Sequence, residues 1–413
     1  MTNASPPEPP ARRGRGPSRR TLLIALTLTA AVGAGGGAAV GLRGHDSTVA
    51  VADWVGDGAT GVPEPGVTTA PPTPTAATLP ASYRVPGAAP RLPWPATGQA
   101  HVEVQGIGPV GSSGGQTPRP IASVTKVMTA YVILRDHPLE PGAAGPTLTV
   151  TAAEAARYPR ERAEGQSLVP VQAGERLTER QALIALLLPS ADNVARILAR
   201  WDAGSIEAFV AKMNATAADL GMRHTRYTDP SGLDAATTST AADQVRLGHA
   251  ALRSAALRQI VRLPSATIPV AGTVTNYNRL LGRSGVIGLK TGSMSAAGGC
   301  LLFAATRRVD GRTVTIVGAV FGQHGSVLSG LPQALSASER LITAVGAALD
   351  THRVLRAGQP VAMPDGGRVA VPAQDLTVVG WPGLTYRLST PDGGTVAAVS
   401  PAGTATTVRT EPA

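Results

Sequence analysis

A chain of 413 residues is longer than one ordinary domain, so a core-bearing domain with appendages is expected. The formal charge of +10 allows a polyanion or a membrane surface as partner, but no stretch interleaves clustered Lys and Arg with aromatics, which argues against nucleic acid. A lone cysteine, Cys300, excludes an internal disulfide, and its apolar setting Gly299-Cys300-Leu301-Leu302-Phe303 predicts a small buried hydrophobe rather than a catalytic thiol.

Residues 21–42 form an uncharged, mostly apolar run, long enough to cross a bilayer as a helix. Arg12, Arg13, Arg15, Arg19 and Arg20 precede it, so residues 1–20 are expected in the cytoplasm and everything after the run outside it. A single-pass membrane anchor is favoured. A cleaved signal peptide is the alternative, with Ala50-Val51-Ala52 as the best cleavage site, and Ser18-Arg19-Arg20-Thr21-Leu22-Leu23 also has the form of a twin-arginine export signal. Residues 43–92 are rich in Pro, Thr, Ala and Gly, cannot bury enough apolar surface to fold, and read as a spacer.

The alternating run Ala100-His101-Val102-Glu103-Val104 predicts a strand. Behind Pro120, helical spacing runs through Val124, Val127, Met128, Tyr131 and Val132. Thr178-Glu179-Arg180-Gln181 has the form of a capping box and opens an apolar helix that Pro189 stops. Ile206, Phe209, Val210, Met213, Ala217 and Leu220 share one face of a further helix, which Gly221 ends. Two β-branched runs, Leu301 to Thr306 and Thr313 to Phe321, flank Asp310-Gly311, a strong hairpin signal. A closing amphipathic helix spans about Pro332 to Leu349. This order predicts an α+β fold of residues 93–350, an antiparallel sheet sandwiched by helices, followed by a small β-rich C-terminal part over residues 351–413.

Three short stretches carry chemistry. Ser123-Val124-Thr125-Lys126 sets a hydroxyl and an amine three residues apart near the start of a helix, on one face. A hydroxyl needs a neighbouring base to become a nucleophile, and a desolvated lysine among positive charges can lose its proton and serve. Ser190-Ala191-Asp192-Asn193 follows a buried helix; either a helix cap or polar groups kept for use would explain it. Lys290-Thr291-Gly292 ends the run Val286-Ile287-Gly288-Leu289, where a Lys and a Thr can grip a carboxylate and a Gly can let a substrate backbone lie against the strand.

The ordered set resembles the motifs of penicillin-binding proteins and serine β-lactamases. Within that superfamily the blocks Ala122-Ser123-Val124-Thr125-Lys126-Val127-Met128-Thr129-Ala130, Leu186-Leu187-Leu188-Pro189-Ser190, Asp229-Pro230-Ser231-Gly232-Leu233-Asp234 and Gly288-Leu289-Lys290-Thr291-Gly292 look like those of low-molecular-weight D-alanyl-D-alanine carboxypeptidases, over about residues 93 to 348. The resemblance implies a β-lactamase/transpeptidase-like fold with an inserted helical subdomain and no cofactor, and the seven histidines are scattered without metal-ligand spacing, so no metal is expected. It implies peptidoglycan stem peptides ending in D-Ala-D-Ala as substrate and β-lactam antibiotics as covalent inhibitors. Ser123 would be the nucleophile, Lys126 its base and Ser190 a proton relay to the leaving amine. Lys290 and Thr291 would bind the terminal carboxylate, with Gly292 and Ser293 beside them, and the backbone N–H groups of Ser123 and Ser293 would form the oxyanion hole.

One position departs from the family's pattern. Its second motif usually has Asn in the third place, where this chain has Asp192 followed by Asn193. An ionised Asp192 between Lys126 and Lys290 would favour the ammonium form of Lys126 and weaken it as a base. Either Asn193 substitutes through a local shift, or the Asp is tolerated, or activity is reduced. Two other readings remain: a β-lactamase, against which no Glu-x-x-Leu-Asn follows the second motif, and a non-catalytic wall-binding protein on the same fold.

Overall fold

The computed structural model describes residues 76–324, 327–364 and 368–413. The apolar run at 21–42 and most of the 43–92 spacer lie outside them. No helix among the described residues is long and apolar enough to cross a membrane.

A five-stranded antiparallel sheet has the order Val286–Met294, Gly298–Val309, Arg312–Gln323, Gln99–Val104, Gly108–Ser113. Side chains alternate across it with the period of two that a strand imposes. Val317, Ala319 and Phe321 enter one core, whereas Ile316 and Val320 enter another on the opposite face. Cys300, Leu302 and Ala304 divide from Leu301, Phe303 and Ala305 in the same way. The hairpin turns at Asp310 and Gly311, both with positive φ, which the short turn between right-twisted strands demands.

The first core is covered by helices α1 (Lys126–Asp136), α2 (Ala152–Ala163), α3 (Glu179–Leu187), α4 (Asp192–Ala203), α5 (Ile206–Asp219), α6 (Ala241–Ala251) and α7 (Ala255–Val261). Helix α3 starts where the capping box predicts: the Thr178 hydroxyl accepts from the Gln181 N–H, and the Gln181 side chain accepts from the Thr178 N–H. Helix α8 (Val327–Ala348) covers the other face, with Leu341, Ile342 and Val345 buried in the second core.

The tail and the spacer depart from their expected boundaries. Strands from 361 to 412 form a seven-stranded sheet, but its two edges are Ala77–Thr78 and Ser82–Arg84, from a stretch read as the end of the spacer. Ala77–Thr78 pairs in parallel with Val361–Ala362, and Ser82–Arg84 pairs antiparallel with Thr385–Arg387. The physical reason is local: Leu79 and Val85 are buried, so this stretch has apolar side chains to anchor. The tail also shares a core with the back of the five-stranded sheet, since Trp381, Tyr386 and Val396 belong to the same buried cluster as Val102, Phe303 and Leu341.

Candidate active site

The nucleophile candidate sits in a one-turn 3-10 segment, Ala122–Thr125, ahead of α1 rather than inside it. Between Ile121 and Ala130 only Ser123 reaches solvent. Ala122 is held at φ 49°, an uncommon conformation for a residue with a Cβ, and the Asp229-Leu233 loop packs against it. A Cβ on Gly232 would fall 1.9 Å from the Ala122 carbonyl oxygen, so only glycine allows that approach. The loop keeps its shape through Asp229, whose Oδ2 accepts from the backbone N–H groups of Ser231, Gly232 and Leu233 and from the Ser231 hydroxyl.

Lys126, the first residue of α1, is fully buried and its ammonium is spent three ways. It donates to Ser123 Oγ at 2.9 Å, to Asp192 Oδ1 at 2.6 Å and to the Ser231 carbonyl at 2.8 Å. A buried charge persists only when paired and hydrogen-bonded, and this one is both. Asp192 is the first residue of α4 and its cap is Ala191, so neither Ser190 nor Asp192 serves as a side-chain N-cap. The second carboxylate oxygen of Asp192 accepts from the Ser167 N–H at 3.1 Å, and the Asp192 N–H donates to the Ser167 carbonyl at 2.7 Å.

Asn193 does not take the place the family pattern gives to Asn. Its amide donates to the Val169 carbonyl at 2.8 Å and accepts from the Val169 N–H at 3.3 Å, so both ends are committed away from Lys126. Asn193 is held against the Val169 backbone rather than turned to Lys126. Consecutive helical residues face about 100° apart, so only one of the pair can turn to Lys126. Residues 167–169 had no signal in the sequence, yet they form the wall that Asp192 and Asn193 hold in place.

Ser190 lies between α3 and α4 at φ 67°, with a buried Oγ that makes no protein hydrogen bond. Strained, unsatisfied serines are uncommon in a well-packed region and concentrate at working sites. Lys290 is buried on the Val286–Met294 strand and donates to its neighbour's carbonyl, that of Thr291, at 3.0 Å. Burial, reinforced by the charge of Lys126 and partly offset by Asp192, holds its amine well below the ordinary lysine range. A Cβ on Gly292 would meet the Ile121 carbonyl at 2.9 Å and the Ser123 nitrogen at 3.1 Å, so the glycine admits the nucleophile's own turn. That close passage brings the Ser293 segment alongside Ser123. Cys300 is buried in the first core, where burial pushes its thiol up to about 11. Among the described residues no group of three or more His, Cys, Asp or Glu is placed to hold a metal ion.

A part-exposed serine bonded to a buried lysine, with a second serine and a second buried lysine on adjoining elements, defines an active-site-serine hydrolase with a lysine base. The family model for D-alanyl-D-alanine carboxypeptidases (Peptidase_S11) matches residues 112–323. A D-alanyl-D-alanine carboxypeptidase of Streptomyces sp. (strain K15) is 32% identical over 220 residues, 49% of this chain and 73% of that one. The D-alanyl-D-alanine carboxypeptidase DacB2 of Mycobacterium tuberculosis is 37% identical over 204 residues, 48% of this chain and 65% of its own length. Among solved structures, the Streptomyces K15 DD-transpeptidase aligns with a TM-score of 0.52 and 27% identity over 63% of this chain and 98% of that one. The chain belongs to the D-alanyl-D-alanine carboxypeptidase family of serine peptidases, and its α+β fold is that of penicillin-binding DD-peptidases.

Proposed function

We propose that the protein removes the terminal D-alanine from peptidoglycan stem peptides through an acyl-enzyme on Ser123. The observation that carries this reading is the 2.9 Å bond between Lys126 Nζ and Ser123 Oγ in a pocket where the lysine is sealed from water. The free-amine form of Lys126 takes the Ser123 proton as Oγ attacks the carbonyl of the penultimate D-alanine. The backbone N–H groups of Ser123 and Ser293 receive the developing oxyanion, and Ser190 Oγ passes a proton to the departing amine. Thr291 and Lys290 hold the leaving D-alanine's carboxylate. Water then hydrolyses the ester, with Lys126 again as base.

Fluorescent penicillin and mass spectrometry test this directly. A stable adduct on Ser123, together with D-alanine release from a D-Ala-D-Ala peptide, is the expected result. An adduct elsewhere would refute the assignment, rapid turnover of the label would favour a β-lactamase, and no labelling a binding protein. The arginine-flanked apolar run further supports a tethered enzyme with its catalytic domain outside the cytoplasm. A reporter fused after Ala413 should be extracytoplasmic and membrane-associated; recovery of the full chain from the cytosol would contradict this.

A further inference from the structure

From Gln244 to Val309 the chain contains eight arginines and no Asp or Glu. This stretch supplies most of α6, all of α7 and the strands Val286–Met294 and Gly298–Val309, so its guanidinium groups must find counter-charges elsewhere or stay open. Arg283 finds one in Glu339 of α8, and Arg246 donates to the Gly221 carbonyl. Arg253 finds none: its side chain has no hydrogen bond or ion pair to any described residue.

Arg253 lies in the turn between α6 and α7, where it walls a cavity of about 330 Å³ together with Gln105, Leu252, Arg258, Ile287 and Thr315. Its polar walls are two guanidinium groups, an amide and a hydroxyl, all able to donate, with no carboxylate among them. Arg258 is fixed in place, because it donates to the Leu252 and Arg253 carbonyls just past the end of α6. Those acceptors are neutral and leave its charge unmatched. Gln105 and Thr315 are set side by side by the sheet, the Gln105 N–H donating to the Thr315 carbonyl at 2.8 Å, and neither side chain has a hydrogen-bond partner among the described residues. Glu103, two residues from Gln105 along the same strand, is committed to His101 and His249 and forms no part of the wall.

Planar guanidinium forks match the oxygens of phosphate, and donors offered by a helix turn on one side and by the sheet on the other suit an anion whose oxygens point out of a single plane. We propose that this cavity is a second, non-catalytic site that binds a phosphate group, either free or as the diester of a phospholipid headgroup. It stands apart from the chemistry. Ile287 in its wall and Gly292 beside the Ser123 turn are five residues apart on one strand, roughly 16 Å.

Calorimetric titration of the full chain in a neutral detergent tests this, with two probes: inorganic phosphate, and glycerophosphoglycerol, the soluble headgroup of phosphatidylglycerol. Saturable binding of either is expected; tighter binding of phosphate assigns the site to the free anion, and tighter binding of the diester assigns it to a lipid headgroup. Arg253→Gln should weaken binding about tenfold at unchanged Tm, the loss of one charge-assisted hydrogen bond. Thr315→Val, which keeps the side chain's shape, should weaken it about threefold and decides the matter if the arginine variant does not fold. Arg246→Gln, on α6 but outside the cavity, should leave binding unchanged. The site is overturned if neither probe binds saturably up to about 10 mM, if binding survives Arg253→Gln or Thr315→Val intact, or if Arg246→Gln weakens it as much as Arg253→Gln does, since that would be a diffuse charge effect.

Discussion

Asp192→Asn probes the one position where this chain leaves its family's pattern. The carboxylate accepts from two donors at once, Lys126 Nζ on Oδ1 and the Ser167 N–H on Oδ2. An amide has one acceptor end, so Asn can keep the lysine but then turns its NH2 toward another donor, the Ser167 N–H. Leaving that N–H unsatisfied costs about 1–3 kcal/mol, which for a domain of this size lowers Tm by several degrees. The rate should move the other way. At 2.6 Å and an effective dielectric of about 20, the attraction between unit charges is about 6 kcal/mol before desolvation offsets it. A carboxylate that grips Lys126 Nζ also holds it back from the Ser123 proton, and losing even a quarter of that attraction is worth about tenfold in rate. We expect Asp192→Asn to accelerate penicillin acylation of Ser123 about tenfold at pH 7. Stopped-flow acylation from pH 6 to 10, beside thermal unfolding, measures both effects. A large rate loss at unchanged Tm would show that the carboxylate is required for catalysis and refute the reasoning.

Glu179 begins α3 with both carboxylate oxygens buried and unpartnered, and burial pushes it up to about 7. A carboxyl raised in the folded state adds stability at low pH that is lost as pH climbs through 7, by about 1–2 kcal/mol once solvent screening is allowed for. Glu179→Gln should therefore raise Tm at pH 8.5 and leave it nearly unchanged at pH 5; an equal effect at both pH values would contradict this. Gly232→Ala should abolish acylation because its Cβ would strike the Ala122 carbonyl and Thr125 Oγ1, and wild-type labelling would show that the loop yields. A chain begun at residue 86 should lose both edges of the C-terminal sheet and melt earlier than one begun at residue 76, checked by calorimetry.

The fold was legible where pattern and packing agree. The α3 capping box and the Asp-Gly hairpin follow from residue spacing alone. So did the three motifs, because Ser123 and Lys126 share one turn of chain and need no distant partner to meet. What escaped the sequence depends on contacts between segments far apart. Ser167 reaches Asp192 across 25 positions through its backbone, which any residue type could supply. Gly292 was legible as a close approach, but which chain approaches is decided by the path of Ile121 to Val124. The spacer's last strands escaped because Ala77–Thr78 and Ser82–Arg84 are too short to show alternation, and their partners lie some 300 residues away in the sheet order they complete.

Two buried lysines beside a single buried carboxylate pose a charge problem that the site resolves through Lys290. Lys126 is matched by Asp192, so a second ammonium would leave an uncompensated charge out of water. Holding the Lys290 amine well below its ordinary range avoids that, because the neutral form carries no penalty. A substrate carboxylate arriving at Thr291 and Lys290 brings the missing negative charge and restores the reason to protonate. Binding of an anionic ligand should therefore be coupled to net proton uptake at this lysine. Titration calorimetry of a D-Ala-D-Ala peptide against a Ser123→Ala protein, in buffers of differing ionisation enthalpy, reads this as a buffer-dependent heat. The uptake should vanish in Lys290→Met and fall away at low pH, where the amine is already protonated. Heats that do not vary with buffer would mean that Lys290 is charged before the substrate arrives, and the site would then need a counter-charge that Asp192 alone does not supply.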